Sequence, residues 1–209
     1  MSEVKRGRFI VFEGIDGAGK STQINLLENY LRGQGRAVYC TAEPTGTVSG
    51  GLLRDALSGA SRRTICEMAA MFVFDRINHN VNPVNGIQKM LSDGFDVICD
   101  RYYYSSLAYQ GSGTDPEWVS NMNLNCPEIM RPDVCIFLDL TPEQSMARIN
   151  RNRATQEIYE NEEKLTQVRN QFCRVFEELK ERDNIQVVDA YRSVEEIHQD
   201  IVKVIENVI

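Results

Sequence analysis

One stretch, "FIVFEGIDGAGKSTQ" at residues 9–23, restricts the possible folds of this chain more than any other. A short apolar run passes into a loop with three glycines, and a lysine followed by two hydroxyl residues then opens a helical segment. The loop fits the pattern G-x-x-x-x-G-K-[ST], in which glycines allow successive backbone N–H groups to surround a phosphate at the positive end of a helix. The pattern is typical of proteins that bind a nucleoside triphosphate.

This loop supplies most of the predicted ATP-binding residues. Lys20 is expected to reach the terminal phosphates, and the Ser21 hydroxyl is expected to bind Mg²⁺. The predicted set consists of Gly14, Ile15, Asp16, Gly17, Ala18, Gly19, Lys20, Ser21 and Thr22. The loop alone does not choose among a GTPase, a motor ATPase and a small-molecule kinase, although the N-K-x-D sequence that usually accompanies guanine specificity does not occur in the chain.

Five short apolar runs, rich in Val, Ile and Phe with little polar alternation, predict parallel strands covered on both faces. The runs span residues 8–14, 37–41, 95–100, 133–140 and 185–190, with helical segments predicted at 20–33, 50–58, 62–92, 101–110, 116–123, 142–152, 160–182 and 194–207. This alternation predicts an α/β chain with the three-layer P-loop fold, a five-stranded parallel sheet flanked by helices. We expect a single domain over residues 1–209 with a mobile lid at 148–164, and ligands at the carboxyl ends of the strands.

Composition restricts the partners. The net charge of −7 argues against a nucleic-acid backbone as the main partner, so any bound anion must be held by a local basic site. The six cysteines are scattered without metal-binding spacing, and we interpret them as free thiols in a reducing cytoplasm, with Cys40, Cys99 and Cys135 in predicted strands. Because no signal-peptide pattern opens the chain and no apolar run has membrane-spanning length, we expect a cytoplasmic protein that binds no membrane.

The stretch "VICDRYYYSSLAYQG" at residues 97–111 predicts a second site on the same rim of the sheet. Asp100 and Arg101 end a predicted strand, where an Asp can hold a Mg²⁺-bound water and an Arg can clamp a phosphate with two hydrogen bonds. The alternative is a surface ion pair. Ser106, Tyr109 and Gln110 follow within about one helical turn, and polar side chains grouped there are typical of ligand contacts.

An aromatic residue and two cations extend this second site. Phe72 and Arg76 are four residues apart, so on a helix they share one face about 6 Å apart, a separation that suits a stacked base and its 5′-phosphate. Arg54 is a third cation that could meet the same phosphate. The alternative is that Phe72 belongs to the core and that Arg76 is a solvated surface residue.

Taken together, these blocks resemble the thymidylate kinases, which phosphorylate dTMP with ATP. The matching blocks, in order, are "FIVFEGIDGAGKST", "EPTGT", "FVFDR", "VICDRYYYSSLAYQG", "RPDVCIFLDLTPEQSMAR" and "EIYEN". The fourth block is the specific one, since the phosphate loop is shared by many enzymes.

The resemblance implies roles for the residues that match. Asp16 would lie near the 3′-hydroxyl of the acceptor sugar, and Phe72 would stack on thymine. The acceptor phosphate would be held by Arg54, Arg76 and Arg101, and the base and sugar pocket would be lined by Ser106, Tyr109 and Gln110. Lys20, Asp100, Arg101 and Arg153 form the implied catalytic set, with Ser21 and Asp100 at Mg²⁺.

The chain departs from the family pattern in two places, the loop around "EPTGT" and the phosphate loop. Family members often have Arg before "EP" and Gly-Gly after it, whereas this chain has Ala42 and Thr45, which leaves the function of Glu43 open. The phosphate loop has no internal basic residue, a feature that in the family accompanies arginines in the lid. On that basis Arg153 is assigned to the transferring phosphate and Arg151 to adenine, while Arg148 is interpreted as a structural ion pair on its helix.

Quaternary structure and acceptor identity stay open at this stage. The predicted helix at 62–92 carries an apolar stripe of Ile65, Met68, Ala69, Phe72, Ile77 and Val81. The stripe could pack on the sheet, while the resemblance implies that helices of this kind pair two subunits into a homodimer. Alternative functions are a kinase for another pyrimidine nucleotide and an ATPase that uses the phosphate loop as a switch.

Overall fold

A computed structural model describes residues 5–152 and 162–208 of the chain. Its centre is a sheet of five parallel strands, each beginning within a residue or two of a predicted apolar run. The strands are β1 (Phe9–Glu13), β2 (Val38–Ala42), β3 (Asp96–Asp100), β4 (Val134–Asp139) and β5 (Ile185–Asp189). The predicted five-stranded parallel sheet is confirmed.

Strand order determines which loops meet at the carboxyl edge. The order is β2-β3-β1-β4-β5, so β1 lies in the middle and pairs with β3 on one side and β4 on the other. In this register Phe12 lies opposite Asp100, and Glu13 lies opposite Phe137. The phosphate loop after β1 and the Asp-Arg segment after β3 therefore leave the sheet side by side.

Helices cover both faces of the sheet, which confirms the three-layer arrangement. In the described part of the chain they are α1 (Lys20–Gly33), α2 (Val48–Leu57), α3 (Ile65–Val81), α4 (Ile87–Ser92), α5 (Tyr103–Tyr109), α6 (Pro116–Leu124), α7 (Pro142–Asn152), α8 (Glu162–Leu179) and α9 (Val194–Glu206). One face packs Ile10 and Ile136 against α1 and α9. The other face packs Val11 and Phe137 against α5 and α8.

The predicted helix at 62–92 is wrong in its extent, because the structure has two helices there. Thr64 starts α3 with a capping box that involves Glu67, so the helix begins later than predicted. Asn82 has φ −54° and ψ 124°, outside the helical region, as expected for a residue that precedes a proline. Because Pro83 also lacks a backbone N–H, α3 ends at Val81 and the chain turns before α4.

Several side chains differ in burial from their predicted environment. Cys99 and Cys135 are buried core residues as predicted, whereas Cys40 is half-buried because β2 is an edge strand. The strand β5 is also an edge strand, and most of its residues are exposed. The side chain of His79, near the end of α3, is buried. Across residues 5–152 and 162–208, no helix is long and apolar enough to cross a membrane.

The apolar stripe of α3 divides between core and surface. Met68 and Ala69 are buried, so this part of the stripe packs inward. Ile65 and Val81 are exposed, together with Phe74, which is 62% exposed and lay outside the predicted stripe. The outward apolar face of α3 is therefore only partly the one that the sequence predicts.

Asp96, the first residue of β3, ties together the amino-terminal ends of three strands. Its buried carboxylate accepts hydrogen bonds from the backbone N–H and the guanidinium of Arg8, at 2.9 and 2.7 Å, and from the guanidinium of Arg36, at 2.9 and 2.7 Å. Burial by itself would raise the pKa of Asp96, but the hydrogen bonds from Arg36 and Arg8 outweigh burial and lower this pKa to about 2.

This depressed pKa makes a prediction about stability. The difference from the ordinary value of 3.8 corresponds to about 2 kcal/mol of unfolding free energy, present above the unfolded pKa and lost as the pH falls towards 2. We expect Asp96→Asn to lower the free energy of unfolding by about 2 kcal/mol or more at pH 7 and by less at pH 3. Urea unfolding of both proteins at each pH measures this; a difference that stays constant on acidification contradicts the account.

Candidate active site

The phosphate loop has the backbone that its glycines predict. Gly14, Gly17 and Gly19 have φ values of 150°, 77° and 95°, in the region that favours glycine. A Cβ atom at Gly14 would also lie 2.8 Å from the carbonyl oxygen of Leu138, too close for any other residue. The loop can therefore turn tightly at the end of β1 and expose its backbone N–H groups.

Lys20, the first residue of α1, folds back over this loop. Its Nζ atom donates to the carbonyl oxygen of Gly14 at 3.1 Å, and the residue is only 7% exposed. Burial lowers the pKa of Lys20, and the neighbouring Arg101 lowers it further, against the effect of nearby carboxylates. A phosphate group in the loop would supply the negative charge that this buried ammonium group needs.

A cavity of 510 Å³ lies over the phosphate loop, large enough for a nucleotide. It is lined by Asp16, Gly17, Ala18, Gly19, Lys20, Ser21, Thr22, Gln23, Asp100, Arg101, Arg148, Arg192, Val194 and Ile197. The structure thus brings the predicted loop residues 16–22 together in one place. Ile15 differs, because its side chain lies in the core and only its backbone belongs to the loop.

Asp100 lies at the floor of the same cavity, at the end of β3. Its Oδ1 atom is buried and has no hydrogen-bond partner among the described residues. A buried carboxylate oxygen without a partner is costly unless a cation or water meets it. The Ser21 hydroxyl lines the same cavity. Two hard oxygen ligands beside a phosphate site fit Mg²⁺, which binds through few protein ligands together with phosphates and waters.

Arg101 has the least usual backbone of the site. Its φ is 66°, the only positive φ of a non-glycine residue in the described chain. The guanidinium donates to Asp16 Oδ1, to the carbonyl oxygen of Gly14 at 3.4 Å and to Ser105 Oγ at 3.2 Å, and lies over the ring of Tyr109. Burial would lower the pKa of Arg101, but Tyr109, Asp16 and other neighbours outweigh it, so the net pKa is raised.

A second cavity, of 160 Å³, adjoins the first. It is lined by Asp16, Glu43, Pro44, Leu57, Phe72, Arg76, Arg101, Tyr102, Ser105, Ser106, Tyr109 and Gln110. Most of the side chains predicted for an acceptor meet here, and Asp16 and Arg101 line both cavities. Arg54 does not line this cavity: its guanidinium donates to the carbonyl oxygens of Pro44 and Thr45 at the edge of the cavity.

Arg76 is a buried member of a polar network, which excludes the solvated alternative. It is 1% exposed, pairs with Glu43 at 2.6 Å, and donates to Ser106 Oγ at 3.2 Å and to Asn123 Oδ1. The Glu43 carboxylate also bonds His79 at 3.0 Å. In the structure Glu43 therefore holds Arg76 against the second cavity, a contact that the sequence did not predict.

Asp75 holds the loop that separates β2 from α2. Its carboxylate accepts from the backbone N–H of Thr45 at 2.8 Å and from the hydroxyls of Thr45 and Ser49 at 2.7 and 2.6 Å. Thr45, which departs from the family pattern, thus supplies two of these three bonds, one of them through its side chain. Sequence reasoning missed Asp75 because its partners are 26 and 30 residues away.

Two arginines complete the first cavity. Arg148 on α7 donates to the carbonyl oxygens of Gly17 and Ala18 at 3.4 Å and of Ala190 at 2.7 Å. Among the described contacts it meets no carboxylate, which corrects the predicted ion pair. Arg192 follows β5 and pairs with Asp200; its place after a strand was the signal that could have identified it. Arg153 lies outside the described residues, as does the side chain of Arg151.

Comparisons with known proteins agree with this geometry. A family model described as thymidylate kinase matches residues 12–201. A probable thymidylate kinase of Thermococcus gammatolerans is 39% identical over 209 residues, which cover 96% of each chain. A probable thymidylate kinase of Pyrococcus horikoshii is 38% identical over 208 residues, 97% of each chain. A thymidylate kinase of Fervidobacterium nodosum is 35% identical over 199 residues, 94% of this chain and 97% of the relative. With two adjoining cavities at the carboxyl edge of a parallel sheet and a match over nearly its whole length, the chain belongs to the thymidylate kinase family.

Proposed function

We propose that this protein transfers the γ-phosphate of ATP to dTMP, giving dTDP and ADP. The observation that carries the proposal is that the triphosphate cavity and the acceptor cavity meet at Asp16 and Arg101, which line both. Two phosphorylated ligands in these cavities would face each other across that junction. Membership of the thymidylate kinase family selects dTMP as the acceptor.

On the donor side, the chain binds the triphosphate mainly through backbone. Loop N–H groups and Lys20 hold the phosphates, and Arg148 and Arg192 line the rest of the 510 Å³ cavity. Ser21 and Asp100 would hold Mg²⁺ beside them. Mg²⁺ held there would offset the negative charge of the terminal phosphates. Arg151 is proposed to contact adenine.

On the acceptor side, the junction of the two cavities supports one direction for dTMP. Its phosphate must lie next to the donor, hence at Arg101, which lines both cavities. Phe72, Arg76 and Ser106 line only the acceptor cavity, so they lie towards the base. This geometry favours Arg76 as a donor to the polar edge of thymine rather than as a ligand of the phosphate, with Phe72 stacking on the ring.

Three further residues complete the proposed acceptor site. Tyr109 and Gln110 line its wall, and Asp16 lies at the junction, where its carboxylate can receive the 3′-hydroxyl of the sugar. Arg54, at the edge of the cavity, is also proposed to contact the acceptor phosphate.

Transfer then depends on positioning and on charge. Phosphoryl transfer requires two anions to be held in line while negative charge spreads over the transferred group. Lys20 and Arg101 are fixed close to that group by the hydrogen bonds described above. Arg153 is proposed to reach the transferring phosphate from the lid. Exclusion of water from the junction would favour transfer to dTMP over hydrolysis of ATP.

The proposed reaction is tested by the acceptor dependence of ADP release. We expect rapid release with dTMP, slower release with dUMP, and little release with dCMP, dGMP or no acceptor. Coupled-assay rates at equal nucleotide concentrations measure this. Release that is the same with and without an acceptor would instead identify a switch ATPase, and a preference for dUMP or dCMP would reassign the acceptor.

Because Arg101 lines both cavities, its removal should impair both the binding of dTMP and the transfer step. Because arginine contacts to a transferring phosphoryl group contribute about 10³-fold or more to rate, Arg101→Ala is expected to lower kcat/KM for dTMP by about 10³-fold and to raise KM for dTMP. Arg32→Ala is the matched control, since Arg32 lies on α1 and pairs with Glu28 on the surface. Steady-state kinetics of Arg101→Ala near those of Arg32→Ala would remove Arg101 from the mechanism.

We also propose that two chains form a homodimer through the exposed apolar face of α2 and α3. On α2, Val48 and Leu52 are exposed by 84 and 48%, and on α3, which packs against α2, Phe74 is exposed by 62%. Val84, in the turn after α3, is 79% exposed, and exposed apolar side chains on packed helices are typical of protein–protein contacts. Sedimentation should give about twice the chain mass of 23.8 kDa, and Phe74→Glu should give the single-chain mass. Wild-type protein that sediments as a monomer at micromolar concentration rules this out.

A further inference from the structure

Glu13, the last residue of β1, is a buried carboxylate that the proposed mechanism does not use. It is completely buried and lines neither cavity. Its Oε1 atom accepts the backbone N–H of Tyr102 at 2.8 Å and of Ser105 at 3.1 Å, and its Oε2 atom accepts the Ser105 hydroxyl at 2.7 Å. All three bonds go to the segment that begins with Arg101 and enters α5.

The segment held by Glu13 contains the strained turn at Arg101. A left-handed backbone costs about 1–3 kcal/mol at a non-glycine residue and persists only where the surroundings fix it. Here the N–H of Arg101 itself donates to the carbonyl oxygen of Phe12 at 2.9 Å, and the next N–H, that of Tyr102, donates to Glu13. The last two residues of β1 therefore clamp the turn on both sides of the Arg101 Cα atom.

We infer that Glu13 is a positioning residue for Arg101: it holds the turn that presents the guanidinium to the junction of the two cavities. This inference rests on the proposed kinase function, in which Arg101 holds the acceptor phosphate. Glu13 also directly precedes Gly14, whose carbonyl oxygen accepts from both Lys20 and Arg101. One carboxylate thus fixes the start of the phosphate loop relative to the acceptor arginine.

The charge and shape of the carboxylate both matter to this role. Glutamine is nearly isosteric, but its amide has one acceptor oxygen and an NH₂ group in place of the second. That NH₂ group would face Ser105 Oγ, which donates to Glu13 and already accepts from Arg101 at 3.2 Å. Glu13→Gln therefore loses or weakens the Ser105 bond and removes a negative charge beside Arg101 and Lys20.

The test compares Glu13→Gln with a matched buried carboxylate. Asp183 is also buried and accepts from the hydroxyls of Tyr103 and Tyr104 at 2.6 and 2.8 Å, so it supports α5 away from the Arg101 turn. We expect Glu13→Gln to lower kcat/KM for dTMP by about 10- to 100-fold, the cost of a small misplacement of a catalytic group. Asp183→Asn should change kcat/KM for dTMP by less than about threefold, even if its Tm falls as much as that of Glu13→Gln.

A double-mutant cycle separates positioning from general stability. If Glu13 acts through Arg101, then Glu13→Gln should change kcat/KM for dTMP by less than about threefold in the Arg101→Ala background. The dissociation constant of a non-hydrolysable ATP analogue, measured by calorimetry, should change less than about threefold in Glu13→Gln alone. Multiplicative effects of the two substitutions, or equal losses for the ATP analogue and dTMP, overturn the inference.

Ser105→Ala covers the case in which Glu13→Gln does not fold. It removes the hydroxyl that links Glu13 Oε2 to the Arg101 guanidinium, and we expect a loss in kcat/KM for dTMP of about 3- to 10-fold. If Glu13→Gln or Ser105→Ala folds and its kcat/KM for dTMP is unchanged, the inference is contradicted. The same assay keeps the proposed function separate: inactive wild-type protein refutes the function, whereas active wild type with unaffected variants refutes only the role of Glu13.

Discussion

The parallel pairing of β1 with β3 is the constraint on which the rest of the site depends. It places Phe12 opposite Asp100, so the phosphate loop and the Arg101 turn leave the sheet next to each other. A slip of one residue would send the alternate side chains of β1 to the other face and would separate Glu13 from the N–H of Tyr102. The apolar packing of both sheet faces fixes that register, and the chemistry of the rim follows from it.

An acidic chain can hold two phosphorylated ligands only by concentrating cations locally, since its net charge of −7 repels them at long range. Arg76 and Arg101 are each fixed by a carboxylate, Glu43 and Asp16 respectively. These pairings orient both guanidinium groups before any ligand arrives, so less reorganisation is needed when Arg76 meets the acceptor base and when phosphate charge develops beside Arg101. The carboxylates also keep buried cations compatible with a folded protein in the absence of nucleotide.

The sequence predicts the strands, the phosphate loop and most side chains of both cavities, because local patterns determine them. What it does not predict are contacts between distant segments. Glu13 meets Tyr102 across 89 residues, and Arg76 meets Glu43 across 33, so neither partner can be read from spacing. A signal was nevertheless present, since Glu13 is the only charged residue of a strand that is otherwise apolar. Pro83 was the signal for the break between α3 and α4, but the apolar periodicity across residues 62–92 led to the prediction of one continuous helix.

The central claim is that two separate anion sites adjoin at Asp16 and Arg101, one built from backbone for a triphosphate and one built from arginine for a monophosphate. Its most direct test is a calorimetric titration of dTMP into protein already saturated with a non-hydrolysable ATP analogue and Mg²⁺. The account predicts that one dTMP still binds per chain, and that the analogue is retained. Failure of dTMP to bind, or displacement of the analogue by dTMP, would show that only one nucleotide site exists.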